Sequence, residues 1–151
     1  MKIEDELKTK KFMSEQQKAA LNLMFTAYRL QTLVSQGLKP HGLTSEQYNV
    51  MRILKGSSPR HMCVREIADR LIERSSNVPR ILDRLQAKNL VTRTRSENDG
   101  RETLIGLTEE GFGLLKEATD TISKLDGAAV NLTDSESRLL NELLDKSRGN
   151  D

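Results

Sequence analysis

The 151-residue chain has one cysteine, three prolines, no tryptophan and few other aromatics, namely three Phe and two Tyr. A lone thiol, Cys63, rules out an intrachain disulfide framework or a cysteine-rich zinc site. No apolar run is long enough to cross a bilayer. The start, MKIEDELKTKK, is charged and lacks the apolar core of a signal peptide, so a cytoplasmic protein without membrane association is expected. The sequon Asn131-Leu132-Thr133 carries no meaning in that compartment. Catalytic signatures are missing too. His41 and His61 sit beside Pro40 and Arg60, in no HExxH or His-x-x-His pair and in no recognisable nucleophile motif, and there is no glycine-rich phosphate loop. Glu109-Glu110 suits the negative first turn of a helix better than acid–base chemistry. No catalytic residue, metal site or cofactor is expected.

What the chain does have is helical periodicity. A hydrophobic content of 36% is lean for a lone globule and suits long helices whose apolar stripes meet a partner chain. Residues 1–13 read as a charged lead-in prone to fraying. A helix over about 15–36 carries Leu21, Met24, Phe25 and Tyr28 on one side and Leu23, Leu30 and Val34 elsewhere, so it needs more than one packing partner. Gly37, Pro40 and Gly42 read as breakers. Thr44 with Gln47 forms a capping box before a helix that buries Val50, Met51, Ile53 and Leu54, and Gly56–Pro59 marks a loop. Near the end, Thr108 caps a long helix with Phe112, Leu115, Ile122 and Leu125, and Thr133 with Glu136 opens another with Leu139, Leu140, Leu143 and Leu144. No repeat or low-complexity linker divides the chain, so residues 1–151 are read as one domain.

The centre carries the functional signal. VREIADRL places Val64, Ile67, Ala68 and Leu71 on one helical face. A second helix starts near Ser75-Ser76-Asn77 and repeats apolar residues at Val78, Ile81, Leu82 and Leu85; its other face holds Ser76, Arg80, Asp83, Arg84 and Ala87. Then comes a basic hairpin with Arg93, Arg95 and Arg101, tipped by Asp99-Gly100, a favoured tight-turn pair. From 80 to 101, six basic residues face three acidic ones. Two short helices, a tight turn and a basic wing suit major-groove insertion, with Ser75, Ser76, Asn77 and Arg80 near base edges and Arg84, Arg93 and Arg95 near phosphates. The charge run alone would equally suit a solvated face, and either helix arginine could pair with Asp83. The expected fold is mainly α with a small β wing: a winged helix-turn-helix over 43–108, with helices 15–36 and 109–148 forming a dimerisation region.

LTSEQYNVMRIL at 43–54, REIADRL at 65–71, SNVPRILDRLQAKNLVTR at 76–93, DGR at 99–101 and LTEEG at 107–111 together resemble the MarR-type bacterial transcriptional regulators, over roughly the central half of the chain. Two departures stand out. Asn89 replaces a Gly that commonly ends the second helix, and Pro79 lies within it; Asn tolerates a left-handed terminus, and a first-turn Pro loses no helical bond. The resemblance implies a homodimer that binds a pseudo-palindromic double-stranded operator, often near its own promoter, and usually represses. It also implies that Arg101 reaches DNA while Asp99 holds the wing. In the resembling family, aromatic or phenolic acids often lodge between the dimer helices and the DNA-binding lobe. Phe25, Tyr28, Arg29, Tyr48 and Met51 could line such a cleft here, although Phe25, Tyr28 and Met51 also fall at plain core spacing. Peroxide-sensing members use a cysteine near the N-terminal helix, which this chain lacks. Cys63, flanked by Met62 and Val64, reads as an apolar buried thiol; His61 and Arg65 nearby leave a redox-sensing regulator as one alternative, and a winged-helix module for protein contacts as another.

Overall fold

The computed structural model describes residues 1–74, 76–96 and 102–149, and the side chains of all of these except 126–129. In chain order, α1 spans Ile3–Glu6 and α2 Glu15–Leu38, a 3-10 turn covers Lys39–His41, and α3 spans Ser45–Ser57. Strand β1 is Met62–Cys63, α4 Val64–Arg70, α5 Val78–Ala87, β2 Val91–Arg95 and β3 Thr103–Leu107. Two long helices close the chain, α6 at Glu109–Val130 and α7 at Asp134–Arg148. The fold is mainly α with a small sheet, as the sequence leads one to expect.

The caps form where the residues call for them. Gln47 N–H donates to Thr44 Oγ1 and Thr44 N–H to Gln47 Oε1, both at 3.2 Å. The Thr133–Glu136 box forms in the same way at the start of α7. Thr108 Oγ1 accepts from the Gly111 N–H at 2.9 Å and itself donates to the Asn89 carbonyl at 2.7 Å, so one hydroxyl both starts α6 and ties it to the end of α5.

Strand order is β1-β3-β2, all antiparallel, with Met62 opposite Ile105 and Arg93 opposite Ile105 on the other side. The core lies in the central lobe. Val50, Met51 and Leu54 of α3, Ile67 of α4, Val78, Leu82 and Leu85 of α5 and Ile105 of β3 are buried together with Leu115, Ala118 and Ile122 of α6. The terminal helices are different: in α2 only Leu38 is buried, and α7 buries nothing.

Four expectations need correction. The lead-in is not simply frayed: α1 forms, Ile3 is buried, and Lys18 Nζ holds Glu4 Oε1 at 2.5 Å while lying over the Phe12 ring. Gly37 does not break the chain. It sits inside α2 where α6 approaches so closely that a Cβ would lie 2.6 Å from Leu125 Cδ1. Strand β1 was not anticipated, because two residues offer no alternation to read. Cys63 is half-buried rather than buried, since it begins α4 at the lobe surface and its backbone N–H donates to Glu66 Oε2 at 2.9 Å.

Candidate nucleic-acid interface

Helix α5 presents its hydrophilic face outward because its apolar residues recur at helical spacing and sink into the lobe: Val78, Leu82 and Leu85 are buried, whereas Arg80, Asp83, Arg84 and Ala87 are exposed. Its start is fixed by Asn77, whose Oδ1 accepts from the Arg80 N–H at 3.1 Å. Pro79 falls in the first turn, where its missing N–H costs nothing. Its end is fixed by Asn89 at φ 57°, with Leu90 N–H donating to the Leu85 carbonyl at 3.0 Å, the six-to-one bond of a left-handed helix terminus.

Besides the Thr108 hydroxyl, polar contacts of Lys88 and Asn89 hold the C-terminal end of α5 to its surroundings. Lys88 Nζ donates to the Gly42 carbonyl at 2.5 Å and reaches Gln47 Oε1 at 3.4 Å; Asn89 Nδ2 donates to Glu110 Oε2 at 2.9 Å. Thus α5 is anchored at its far end and leaves its N-terminal half facing outward.

The expected site residues fall as follows. Asn77, Arg80 and Arg84 share the exposed side of α5, with Ser76 half-buried just before it. Among the described residues, neither Arg80 nor Arg84 has an acidic partner. Asp83 pairs instead with Arg93 of β2, whose Nη2 donates to Asp83 Oδ1 at 2.6 Å. Arg95 lies exposed further along the same strand. Ser75, Asp99 and Arg101 lie outside the described residues. The candidate interface therefore draws Asn77, Arg80 and Arg84 from α5 and its cap and Arg93 and Arg95 from β2, two elements linked by the Asp83–Arg93 ion pair. Sequence reasoning missed that link and the Lys88 anchor, because contacts across ten and 46 residues leave no periodic trace.

The candidate effector residues are dispersed. Met51 is wholly buried, and the buried Tyr48 hydroxyl donates to Thr119 Oγ1 at 3.2 Å. Phe25 and Arg29 line a small hollow with Met1, Ile3, Glu6 and Leu30, and Tyr28 is 71% exposed. Core spacing in α2 thus does not mean a buried core within one chain. The two histidines also have structural contacts: His41 Nε2 lies 2.9 Å from Thr121 Oγ1, and His61 packs over Gly106, where any Cβ would collide with its ring. No group of His, Cys, Asp and Glu among the described residues could hold a metal ion, and no described helix is long and apolar enough to cross a membrane.

An exposed, capped helix after a shorter one, followed by an antiparallel strand pair whose first strand is basic, defines a winged helix-turn-helix DNA-binding protein. The family model for the transcriptional regulator SarA/Rot matches residues 32–118. The chain is 31% identical over 139 residues to the HTH-type transcriptional regulator MgrA of Staphylococcus aureus, covering 89% of this chain and 92% of MgrA. It is 27% identical over 136 residues to the HTH-type transcriptional regulator MhqR of Bacillus subtilis, covering 87% and 91%. Its fold matches that of a mutant MarR from E. coli complexed with operator DNA, with a TM-score of 0.78 at 24% identity over 91% of this chain and 98% of that one. The chain belongs to the MarR/SarA family of winged helix-turn-helix transcriptional regulators. It is a sequence-specific DNA-binding regulator and not an enzyme.

Proposed function

We propose that this chain acts as a homodimer on a pseudo-palindromic duplex operator and represses transcription from it. The observation that carries the reading is the exposed face of α5: among the described residues, Arg80 and Arg84 stand without acidic partners, and the basic strand β2 follows. Helix α5 enters the major groove with Asn77 and Arg80 at base edges. Arg84, Arg93 and Arg95 meet phosphates, and Arg101 beyond them meets the minor groove, where a guanidinium suits the negative potential of A·T-rich sequence. Asn77 commits one lone pair of its Oδ1 to the cap and keeps both amide N–H groups to donate to DNA. Ser75 and Ser76 flank the helix start, and Asp99 steadies the wing.

The dimer is supported by the exposed apolar side chains of the terminal helices, including Leu23, Met24, Tyr28, Leu139, Leu140 and Leu143. Twofold symmetry then sets two copies of α5 about one DNA turn, roughly 34 Å, apart. A small aromatic acid that prefers another spacing would release DNA, but only by the amount of that preference. Arg29, about one turn after Phe25 and next to Tyr28 on α2, is the cation placed to meet its carboxylate once a partner chain closes the hollow. The reading is tested by gel shift on genomic fragments at several salt concentrations, with salicylate-like acids titrated into the complex. Binding to every fragment alike, or none, would refute the operator; an Arg29→Ala variant that responds like the parent would refute the effector site.

A further inference from the structure

Asp83 is an acid on the face of α5 that meets DNA, where it is repelled by phosphates and lies beside two arginines. A residue there for DNA contact is most readily neutral or basic, since the one base group in the major groove that suits a lone acid is an amino group such as that of cytosine. Among the described residues its one ion-pair partner is Arg93, and that pair joins α5 to β2. In the order β1-β3-β2, strand β2 is paired only with β3, so its other edge has no ladder to hold it. Successive β2 residues point to opposite faces, and both faces are gripped near the base of the hairpin. On one, Arg93 reaches Asp83 at 2.6 Å; on the other, Thr94 Oγ1 lies 3.5 Å from Nδ1 of His61, whose ring covers the bare backbone of Gly106.

Building on the DNA-binding reading above, we propose that Asp83 is a positioning residue: it makes no DNA contact and, through Arg93, fixes the angle between the groove-reading helix and the wing before DNA is met. An exposed ion pair of this kind adds little to stability, because solvent screens it. Its effect is on geometry. The wing carries its arginines to DNA at a reach set by that angle, and loosening it makes each contact dependent on ordering the hairpin first.

The sign of the effect separates this role from the simpler one. Removing an acid that merely faces DNA strengthens binding to all duplexes. Removing an anchor weakens specific binding while leaving the non-specific gain. The probes are a duplex selected by the parent protein from a random-sequence pool and a shuffled duplex of the same composition. Asp83→Asn is expected to lower the ratio of selected to shuffled affinity by about tenfold, the scale of one lost specific contact, with unchanged thermal stability and an unchanged or tighter grip on the shuffled duplex. Asp83→Arg with Arg93→Asp keeps the parent's net charge and reverses the pair; it should recover most of the ratio that either single change loses. Equal tightening on both duplexes in Asp83→Asn would overturn the proposal. So would a double variant whose ratio is no better than that of Arg93→Asp, since Arg93 would then carry specificity by a contact of its own; its phosphate contact weighs on both duplexes alike and cancels in the ratio. A parent protein that selects no sequence at all would refute the DNA-binding reading itself, a separate result.

Discussion

At the scale of single residues, the exposed side of α5 divides its work between two arginines one turn apart. Arg80 lies in the first turn, next to the Asn77 cap, and Arg84 in the last turn; in the proposed docking the first approaches base edges and the second the phosphate backbone. Arg80→Ala is therefore expected to relax preference at one base pair per half-site, costing about 1–3 kcal/mol of discrimination. Arg84→Ala should weaken all sequences alike and reduce the salt slope by about one. Competition assays against single-base operator variants distinguish the two, and unchanged binding in both would remove α5 from the groove. A second residue, Glu66, adds a small pH-dependent contribution to the stability of the fold. The Glu66 carboxylate accepts from the Cys63 backbone N–H and from Arg60, and these hold its pKa below the ordinary 4.5. Its stabilisation is present above that value and is lost as pH falls through the lowered one. With its side chain 39% exposed, solvent limits the gain to about 1 kcal/mol or less. Thermal melts of Glu66→Gln should fall below the parent near neutrality and converge with it as pH drops under 4.5; a gap that stays constant would contradict the linkage.

At the scale of elements, α6 begins where three chain segments converge, and two of its glycines face opposite conditions. A Cβ on Gly111 would run into the Leu90 carbonyl oxygen, a backbone atom that cannot yield, whereas nothing approaches Gly113. Gly111→Ala should cost about 1–3 kcal/mol or more by overpacking and pull α6 away from the end of α5. Gly113→Ala should instead stabilise by about 0.5–1 kcal/mol through helix propensity. Chemical denaturation of both variants checks the contrast, and destabilisation of equal size would mean that α6 starts elsewhere. Much at this scale was legible in sequence. Thr44, Asn77, Thr108 and Thr133 announce helix starts through local chemistry, and the 3.6-residue recurrence of Val78, Leu82 and Leu85 gives away the buried side of α5. Contacts between distant segments were not. The Asp83–Arg93 pair, the Lys88 anchor and the two-residue strand β1 depend on how elements dock, and Gly37 looks like a breaker until α6 is seen packed against it. Three expected site residues, Ser75, Asp99 and Arg101, lie outside the described residues and stay proposals.

At the scale of the whole molecule, the terminal helices do not account for themselves. Helix α2 has 24 residues, a length of about 36 Å, yet only Leu38 at its very end is buried. Helix α7 is opened by a full capping box and carries leucines on one side, with Leu139 56% and Leu143 55% exposed. Isolated helices of this length are marginal in water, and most helical stability comes from burying an apolar side. Such stripes suit a second copy of the chain, and an isologous interface of that kind uses the same patch twice and so leaves no mark in a single sequence. Replacing Leu139 and Leu143 together by Glu puts two like charges at each copy of that seam. The expected result is a halved mass in light scattering, with the central lobe intact because neither residue belongs to its core. Each half-site is then bound alone, and affinity for a palindromic duplex should fall by about 10²-fold or more as the second contact ceases to be intramolecular. Arg138→Glu, a charge change on the same helix that removes no apolar surface, serves as the control and should leave the mass unchanged. If the double variant keeps the parent's mass, α7 lies outside the interface and the stripe of α2 must carry the dimer; if the parent is itself a monomer at micromolar concentration and on DNA, the homodimer is wrong.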